Sequence, residues 1–166
     1  GHVILADAGV DDDGRLCGLR VRTYCGIGGE VGSKGCLAPS TTFGLLLSGQ
    51  YDIPAIHFKG RGILTNETPT GVYRGVGRAE AIFTIERVME TIARDRGEDP
   101  IEYRRKHFIQ PDQFPYETAV GSTYDSGDYE LALDEALETA GYDELRERQE
   151  KLREEGRYLG IGVGCF

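Results

Sequence analysis

The stretch Gly71-Val72-Tyr73-Arg74-Gly75-Val76-Gly77-Arg78-Ala79-Glu80 joins a glycine-interrupted loop directly to a strongly amphipathic segment of the chain. Glycine tolerates sharp turns and lets a ligand approach the main chain. The start of a helix offers unpaired N–H groups and the positive end of the helix dipole. Two arginines flank the turn, so the stretch predicts a loop–helix junction suited to an anionic ligand, such as a phosphate or a polyoxygen cofactor.

The segment after this loop predicts one long helix over Arg78–Arg94. Its apolar residues recur at three- and four-residue spacing, which is typical of the buried face of a helix. The members of this face are Ala81, Ile82, Ile85, Val88, Met89 and Ile92. Gly97 is a natural stop for this helix. Asp99 and Pro100 then predict a capped second helix that runs to about His107.

Strand patterns occupy the first part of the chain and its end. Val3–Ala8 and Leu16–Cys25 flank the acidic, glycine-ended link Asp11–Gly14, which predicts a hairpin. Ala55–Thr65 alternates in the same way, and Tyr158–Phe166 predicts a final strand. Strands come first, then helices, then a strand. This order indicates an α+β fold with a small mixed or antiparallel sheet layered with helices.

The remaining segments predict shorter helices. Thr41–Leu47 is compatible with one turn or two of helix, and Asp128 caps a helix that runs through Ala140. A charged helix follows over Asp143–Glu155, and its arginine- and glutamate-rich pattern is typical of a solvated face.

Composition narrows the classes of function. A chain of 166 residues with a net charge of −9 predicts one domain or part of one, and it has no basic stripe for nucleic acid. No apolar run is long enough to cross a membrane, so membrane insertion is not expected. The four cysteines show no CxxC spacing, which argues against a zinc site or a disulfide framework and predicts a cytoplasmic location. Cys17 and Cys25 are expected on one sheet face as small buried hydrophobes.

Two glycine-rich stretches partly match nucleotide-binding motifs. In the first, Gly75–Glu80, Glu80 stands where a dinucleotide-binding loop has its third glycine. In the second, Gly26–Gly35, Ser33 separates Gly32 from Lys34, so the order of a phosphate loop is missing and a flexible surface loop is predicted. The three histidines show neither metal-ligand spacing nor a nucleophile–base set, and we interpret them as structural.

Four runs of sequence together resemble the molybdenum-binding large subunit of the xanthine dehydrogenase, aldehyde oxidase and carbon monoxide dehydrogenase family. The runs are Thr65–Ala81, Asp99-Pro100 with Arg104–Lys106, Thr123–Tyr129 and Leu159–Gly162. Their order and spacing are similar to those of the family, and the resemblance covers nearly the whole chain. It implies a fold that is part of a molybdopterin-binding domain.

The resemblance implies three parts within the chain. Residues 1–110 would be the C-terminal part of a first molybdopterin-binding subdomain, residues 111–157 a helical linker, and residues 158–166 the first strand of a second subdomain. The family's glycine–phenylalanine cofactor motif and its catalytic glutamate are not found in this chain. We therefore expect a piece of a longer protein, with no catalytic residue and no metal ligand of its own, that is inactive and without cofactor when isolated.

The same resemblance implies a cofactor and partners. Members of the family bind molybdopterin, often as its cytosine dinucleotide, and hydroxylate a substrate carbon with oxygen from water. Their electrons pass through iron–sulfur clusters to FAD on partner subunits or domains. The loop that matches Tyr73 to Arg78 lies beside the molybdenum in the family. Gly75, Val76 and Gly77 would then face the metal site, with Arg74 and Arg78 shaping it.

Three departures from the family pattern bear on the substrate. Gly75 stands where carbon monoxide dehydrogenases carry the cysteine that holds copper, so a copper-dependent site is not expected. Val76 stands where purine oxidisers carry an aromatic residue that stacks on the substrate. Thr42 stands where the same enzymes carry an arginine. The resemblance thus implies a parent enzyme that oxidises an aldehyde or an aromatic heterocycle.

Two other classes of function stay open at this stage. The helix entrance at Gly75–Gly77 also suits a free-standing module that binds a small anion such as phosphate. The charged helix Asp143–Glu155 also suits the contact surface of a structural or partner-docking domain.

Overall fold

A three-stranded mixed sheet forms the first half of the molecule. The computed structural model describes residues 1–31 and 34–166, and at residues 38 and 39 it describes the backbone alone. The strands are β1 (His2–Val10), β2 (Leu16–Gly28) and β3 (Ile56–Leu64), in the order β1-β2-β3. β1 and β2 are antiparallel and β2 and β3 are parallel, so the α+β fold with a small mixed sheet is confirmed.

Burial alternates along β2 with a period of two, as its sequence pattern predicts. Leu19, Val21 and Thr23 are buried, whereas Arg20 and Arg22 are exposed. Burial of every second side chain on a strand removes one face of the sheet from water. This face packs against the helix that follows the glycine turn.

The prediction that both cysteines of β2 lie buried on one face is wrong for Cys17. Cys25 is buried, but Cys17 is exposed. The register shifts between Gly9 and Val10, which pair with Gly18 and Leu16. This bulge leaves Cys17 as the extra residue of β2, and an extra residue reverses the faces of the residues beyond it.

The helices are α1 (Phe43–Leu45), α2 (Arg78–Arg96), α3 (Pro100–Arg105), α4 (Tyr129–Ala140) and α5 (Tyr142–Glu154). Helix α1 lies between β2 and β3 in the chain, and the other helices follow β3, with a second small sheet between α3 and α4. A π-helical turn at Ala38–Thr42 precedes α1, and a 3-10 turn at Pro111–Gln113 follows α3. The small sheet pairs β4 (Tyr116–Glu117) with β5 (Thr123–Tyr124). Among the described residues, no helix is both long and apolar enough to span a lipid bilayer.

The predicted helix boundaries rest on capping groups that the structure contains. The Asp99 carboxylate accepts hydrogen bonds from the N–H groups of Ile101 and Glu102 at 2.8 and 3.2 Å. Asp128 accepts from Leu131 N–H at 3.0 Å. Gly97 ends α2 in the left-handed conformation that favours glycine.

The core lies between α2 and the buried face of the sheet. On the helix, Ala81, Ile85, Met89 and Ala93 are all at most 1% exposed. Apolar burial of this kind is the main favourable term in folding. It fixes α2 on the sheet and therefore fixes the glycine turn from which α2 begins.

The strand predicted over residues 158–166 is not formed within the described part of the chain. A strand needs a neighbour with which to exchange backbone hydrogen bonds, and this segment packs on helices instead. Its burial still alternates with a period of two: Leu159, Ile161, Val163 and Cys165 are half-buried, and the residues between them are exposed.

Candidate cofactor-facing loop

A tight turn over residues 74–77 places two glycines in the left-handed region directly before α2. Gly75 has φ of 82° and Gly77 has φ of 74°, a conformation that glycine adopts without steric cost. The Arg78 N–H donates to the Gly75 carbonyl at 2.9 Å, and the Ala81 N–H donates to the Gly77 carbonyl at 3.1 Å. No side chain in the described ranges caps α2 at Gly77. The first turn of a helix leaves N–H groups without an intrahelical acceptor, and such groups can bind water or an anionic ligand.

Four of the six predicted site residues lie at the surface. The exposed site residues are Tyr73, Arg74, Gly75 and Arg78, and Tyr73 is 87% exposed. Val76 is half-buried and Gly77 is buried. Nothing lies within 4 Å of the position that a Cβ on Gly75 would take. The turn thus presents bare main chain at Gly75 on an open side, and Arg74 and Arg78 flank the turn in the chain.

Arg78 connects this turn to a neighbouring groove of about 360 Å³. Its guanidinium carbon lies 5.7 Å from the ring centre of Phe166, within the range of a cation–π interaction. Ile82 and Tyr129 contribute apolar surface to the groove, and Gln50 adds a polar amide. A mostly apolar groove with few polar groups is typical of a small-molecule site.

The segment before the loop is held by the end of β2. The Gly29 N–H donates to Glu67 C=O, and the Thr65 and Thr70 N–H groups donate to Gly28 and Ile27 C=O, all at 3.0 Å. A Cβ on Gly28 would lie 2.3 Å from the Cα of Pro69. Glycine is therefore required where residues 65–70 cross the strand.

This arrangement changes the interpretation of the glycine-rich stretch Gly26–Gly35. Gly26–Gly28 belong to β2 instead of a flexible loop, and a Cβ on Gly35 would lie 1.8 Å from Thr70 O. The close approach explains the glycines as packing positions beneath the segment that leads to the candidate loop. Gly32 and Ser33 lie outside the described residues.

Helix α2 is tied to the rest of the molecule by a buried polar network. Arg104 is 1% exposed, and its Nε donates to Glu86 Oε2 at 2.9 Å. The Tyr51 hydroxyl donates to the other oxygen, Oε1, at 2.5 Å. Burial and the Glu86 carboxylate raise the pKa of Tyr51 far above its usual range, so its hydroxyl stays protonated. Burial alone would lower the pKa of Arg104, but the Glu86 charge and hydrogen bond raise it.

The network was not predicted from the sequence, although one signal was present. Glu86 lies four residues after Ile82 and three before Met89, inside the apolar stripe of α2. A carboxylate at such a position is rarely buried unless it is paired. The sequence alone does not show that Arg104 is that partner.

The histidine beside the core has the structural role predicted for it. His107 Nε2 accepts from Leu16 N–H at 3.0 Å, and Nδ1 lies 2.8 Å from Tyr103 C=O, to which it donates. Acceptance at Nε2 requires the neutral ring with its proton on Nδ1, and burial lowers the pKa of His107. In residues 1–31 and 34–166 there is no group of three or more His, Cys, Asp or Glu side chains able to hold a metal ion.

The fold is an α+β domain, and comparison with known proteins identifies its class. Residues 1–108 match the molybdopterin cofactor-binding domain. The chain is 37% identical over 166 residues to the carbon monoxide dehydrogenase large chain of Afipia carboxidovorans, covering 93% of this chain and 20% of that protein. The chain therefore belongs to the molybdopterin cofactor-binding domain family of molybdenum hydroxylase large subunits.

Two further relatives are not named as carbon monoxide dehydrogenases. The chain is 30% identical to the 6-hydroxypseudooxynicotine dehydrogenase complex subunit gamma of Paenarthrobacter nicotinovorans, covering 95% of this chain and 20% of that protein. Its fold matches quinoline 2-oxidoreductase from Pseudomonas putida 86 with a TM-score of 0.90 at 29% identity, covering 98% of this chain and 21% of that one. The chain thus spans about a fifth of the length of each of these relatives.

Proposed function

We propose that this chain forms part of the large subunit of a molybdenum hydroxylase and that Tyr73–Arg78 faces the molybdopterin cofactor. The observation that carries this proposal is the open turn at Gly75–Gly77, which sits at an uncapped helix start between Arg74 and Arg78. Family membership supports molybdopterin as the ligand, and the cytosine dinucleotide is the form that we propose. The bound cofactor would supply the hydroxylation of a substrate carbon with oxygen from water.

The residues of the turn fit an anionic, oxygen-rich group. Gly75 and Gly77 carry no side chain, so main-chain N–H groups can come within hydrogen-bonding distance of ligand oxygens. Arg74 and Arg78 carry cationic guanidinium groups that present forked donors. In this proposal Val76 adds a small apolar wall, and Tyr73 adds an aromatic ring on the exposed side.

The proposed substrate is an aldehyde or an aromatic heterocycle. Gly75 has no thiol with which to hold copper, so we do not propose carbon monoxide as the substrate, despite the identity to carbon monoxide dehydrogenase. Val76 does not stack on a ring as an aromatic residue does, which argues against a purine. The names of two relatives refer to quinoline and to a nicotine derivative, and they favour the heterocycle.

The proposed partners and organisation follow from the same assignment. The chain would pack against the remainder of the large subunit, and iron–sulfur and FAD subunits or domains would accept the electrons. One relative is named as a subunit of a complex. Residues 1–110 would complete a first cofactor-binding subdomain, residues 111–157 would be a linker, and residues 158–166 would begin a second. A cytoplasmic location belongs to this proposal.

The test is elemental analysis of molybdenum in the longer protein that contains this chain. We expect Arg74→Gln and Arg78→Gln each to weaken cofactor retention about tenfold, because each removes a charge-assisted contact. Arg148→Gln, at an exposed arginine of α5, is the matched control and should retain molybdenum. Full retention in both loop variants would contradict the proposal.

The isolated 166-residue chain provides the complementary experiment. We expect it to retain no stoichiometric molybdenum and to have no hydroxylase activity, because the rest of the cofactor site would come from other polypeptide. Calorimetric titration with inorganic phosphate tests the alternative of a free-standing anion-binding module. Saturable phosphate binding that Arg74→Gln and Arg78→Gln abolish would favour that alternative.

A further inference from the structure

The last segment of the chain is held on the helices by side chains. Leu159, Ile161, Val163 and Cys165 point at the protein with a period of two. The Gln149 side-chain amide of α5 donates to Leu159 C=O at 2.7 Å. The segment therefore lies in an extended, side-alternating arrangement although it has no strand partner within the described ranges.

One guanidinium group contacts this segment and two helices at once. Arg104 Nη1 donates to Pro100 C=O at 2.9 Å, at the start of α3, and to the Glu90 carboxylate of α2 at 3.3 Å. Its Nη2 reaches Val163 C=O at 3.4 Å, and its Nε binds Glu86. The planar fork of arginine can serve several acceptors in fixed directions, which a lysine ammonium cannot.

The contact at Val163 connects Arg104 to the groove beside the candidate loop. Beyond Val163, the Cys165 thiol interacts with the side chains of Tyr51 and Gln50. Phe166 then places its ring under Arg78, and Gln50, Arg78 and Phe166 all line the groove. The position of one groove wall thus depends on where residues 158–166 are held.

We propose that Arg104 is a positioning residue that fixes residues 158–166 against α2 and thereby sets the groove between Arg78 and Phe166. The proposal concerns the shape of the groove and stands whatever ligand the loop binds. The competing explanation is that Arg104 and Glu86 are a buried ion pair that matters for stability alone. These two explanations are separable, because replacing both members of a buried pair with apolar residues often restores stability without restoring the lost contacts.

The experiment uses three cysteines at different depths as reporters. Cys165 is half-buried in the anchored segment, Cys25 is buried in the sheet, and Cys17 is exposed. Alkylation rates at each thiol are measured in the 166-residue chain by peptide mass spectrometry. Cys17 reports intrinsic reactivity and Cys25 reports global unfolding, so the Cys165 rate relative to both reports detachment of the segment.

The decisive variant is the double replacement Glu86→Met with Arg104→Met. We expect it to keep Cys25 protected while the Cys165 rate rises at least about fivefold, since a hydrogen bond from a charged donor is lost. Arg105→Met, at the next arginine of α3, is the matched control and should leave the Cys165 rate unchanged. A rise below fivefold in the double variant, or an equal rise in the control, would overturn the proposal.

A second variant keeps the test decisive if the double variant does not fold, as judged by labelling of Cys25. Arg104→Lys retains the charge beside Glu86 but lacks the fork that also reaches Val163 and Pro100. We expect the same rise of about fivefold at Cys165. A protected Cys165 in this variant would show that charge alone suffices and would also overturn the proposal.

Discussion

His107 connects two elements of the fold through the two nitrogens of its ring. Its neutral ring joins Leu16 at the start of β2 to Tyr103 in α3. Protonation would give Nε2 a hydrogen and break the bond from Leu16 N–H. Burial lowers the pKa of His107, so the folded protein disfavours this protonation more than the unfolded chain does.

We predict that the free energy of unfolding falls as the pH drops below about 6.5, the ordinary pKa of histidine. The unfolded chain binds the proton more readily than the folded chain does, because the folded pKa is lowered. The contribution of His107 is therefore complete above about pH 6.5 and is lost as the pH falls through the folded pKa. Urea unfolding followed by circular dichroism at several pH values measures it.

His107→Gln introduces an amide that can accept from Leu16 N–H and donate to Tyr103 C=O and that does not titrate. We expect a shallower dependence on pH in this variant, with the difference from wild type concentrated in the acidic range. His57→Gln is the control, since His57 is exposed. Identical pH profiles for wild type and His107→Gln would show that His107 does not couple folding to protonation.

At the scale of elements, the candidate loop depends on the way in which residues 65–70 cross the end of β2. Gly28 combines φ of 86° with a Cβ position 2.3 Å from Pro69 Cα. Any side chain there meets backbone that cannot rotate away. The loop is thus placed by two supports, the end of β2 before it and α2 after it.

We predict that Gly28→Ala lowers the free energy of unfolding by about 3 kcal/mol, from the left-handed conformation together with the clash. Gly97→Ala is the matched control: Gly97 has φ of 70°, but nothing lies within 4 Å of its Cβ position. It should cost only about 1 kcal/mol. Equal losses in urea unfolding would mean that the contact with Pro69 does not constrain the crossing.

Elements with strong local signals could be predicted from the sequence, and those that depend on distant pairing could not. The alternation of β2, the apolar stripe of α2 and the caps at Asp99 and Asp128 are local, and the structure contains them all. The bulge at Cys17 arises from register with β1, which no property of β2 reveals. The missing strand at residues 158–166 shows the same limit, because a strand pattern does not supply a partner.

At the scale of the whole molecule, the candidate loop faces outward and large apolar side chains are uncovered. Val3 and Leu64 on the outer strands of the sheet are each 60% exposed, and Phe83 of α2 is 63% exposed. Exposed apolar surface of this kind marks interaction sites. It supports the proposal that further polypeptide packs here, as expected for a chain that spans about a fifth of its relatives.

The sequence indicated the loop because glycines, arginines and a helix start are adjacent in the chain. It did not indicate the contacts of Arg104. The partners Glu86 and Val163 are distant from Arg104 in the chain and meet it only in the fold. The contiguous part of a site is therefore accessible to sequence reasoning. The supports that hold it are made of contacts between distant residues and require the structure.

Anomalous diffraction at the molybdenum edge, from crystals of the longer protein, tests whether the Gly75–Gly77 turn faces the cofactor. We expect a molybdenum peak that faces the open side of this turn, with Arg74 and Arg78 beside the cofactor. A molybdenum peak elsewhere, with this turn packed against protein, would contradict this expectation.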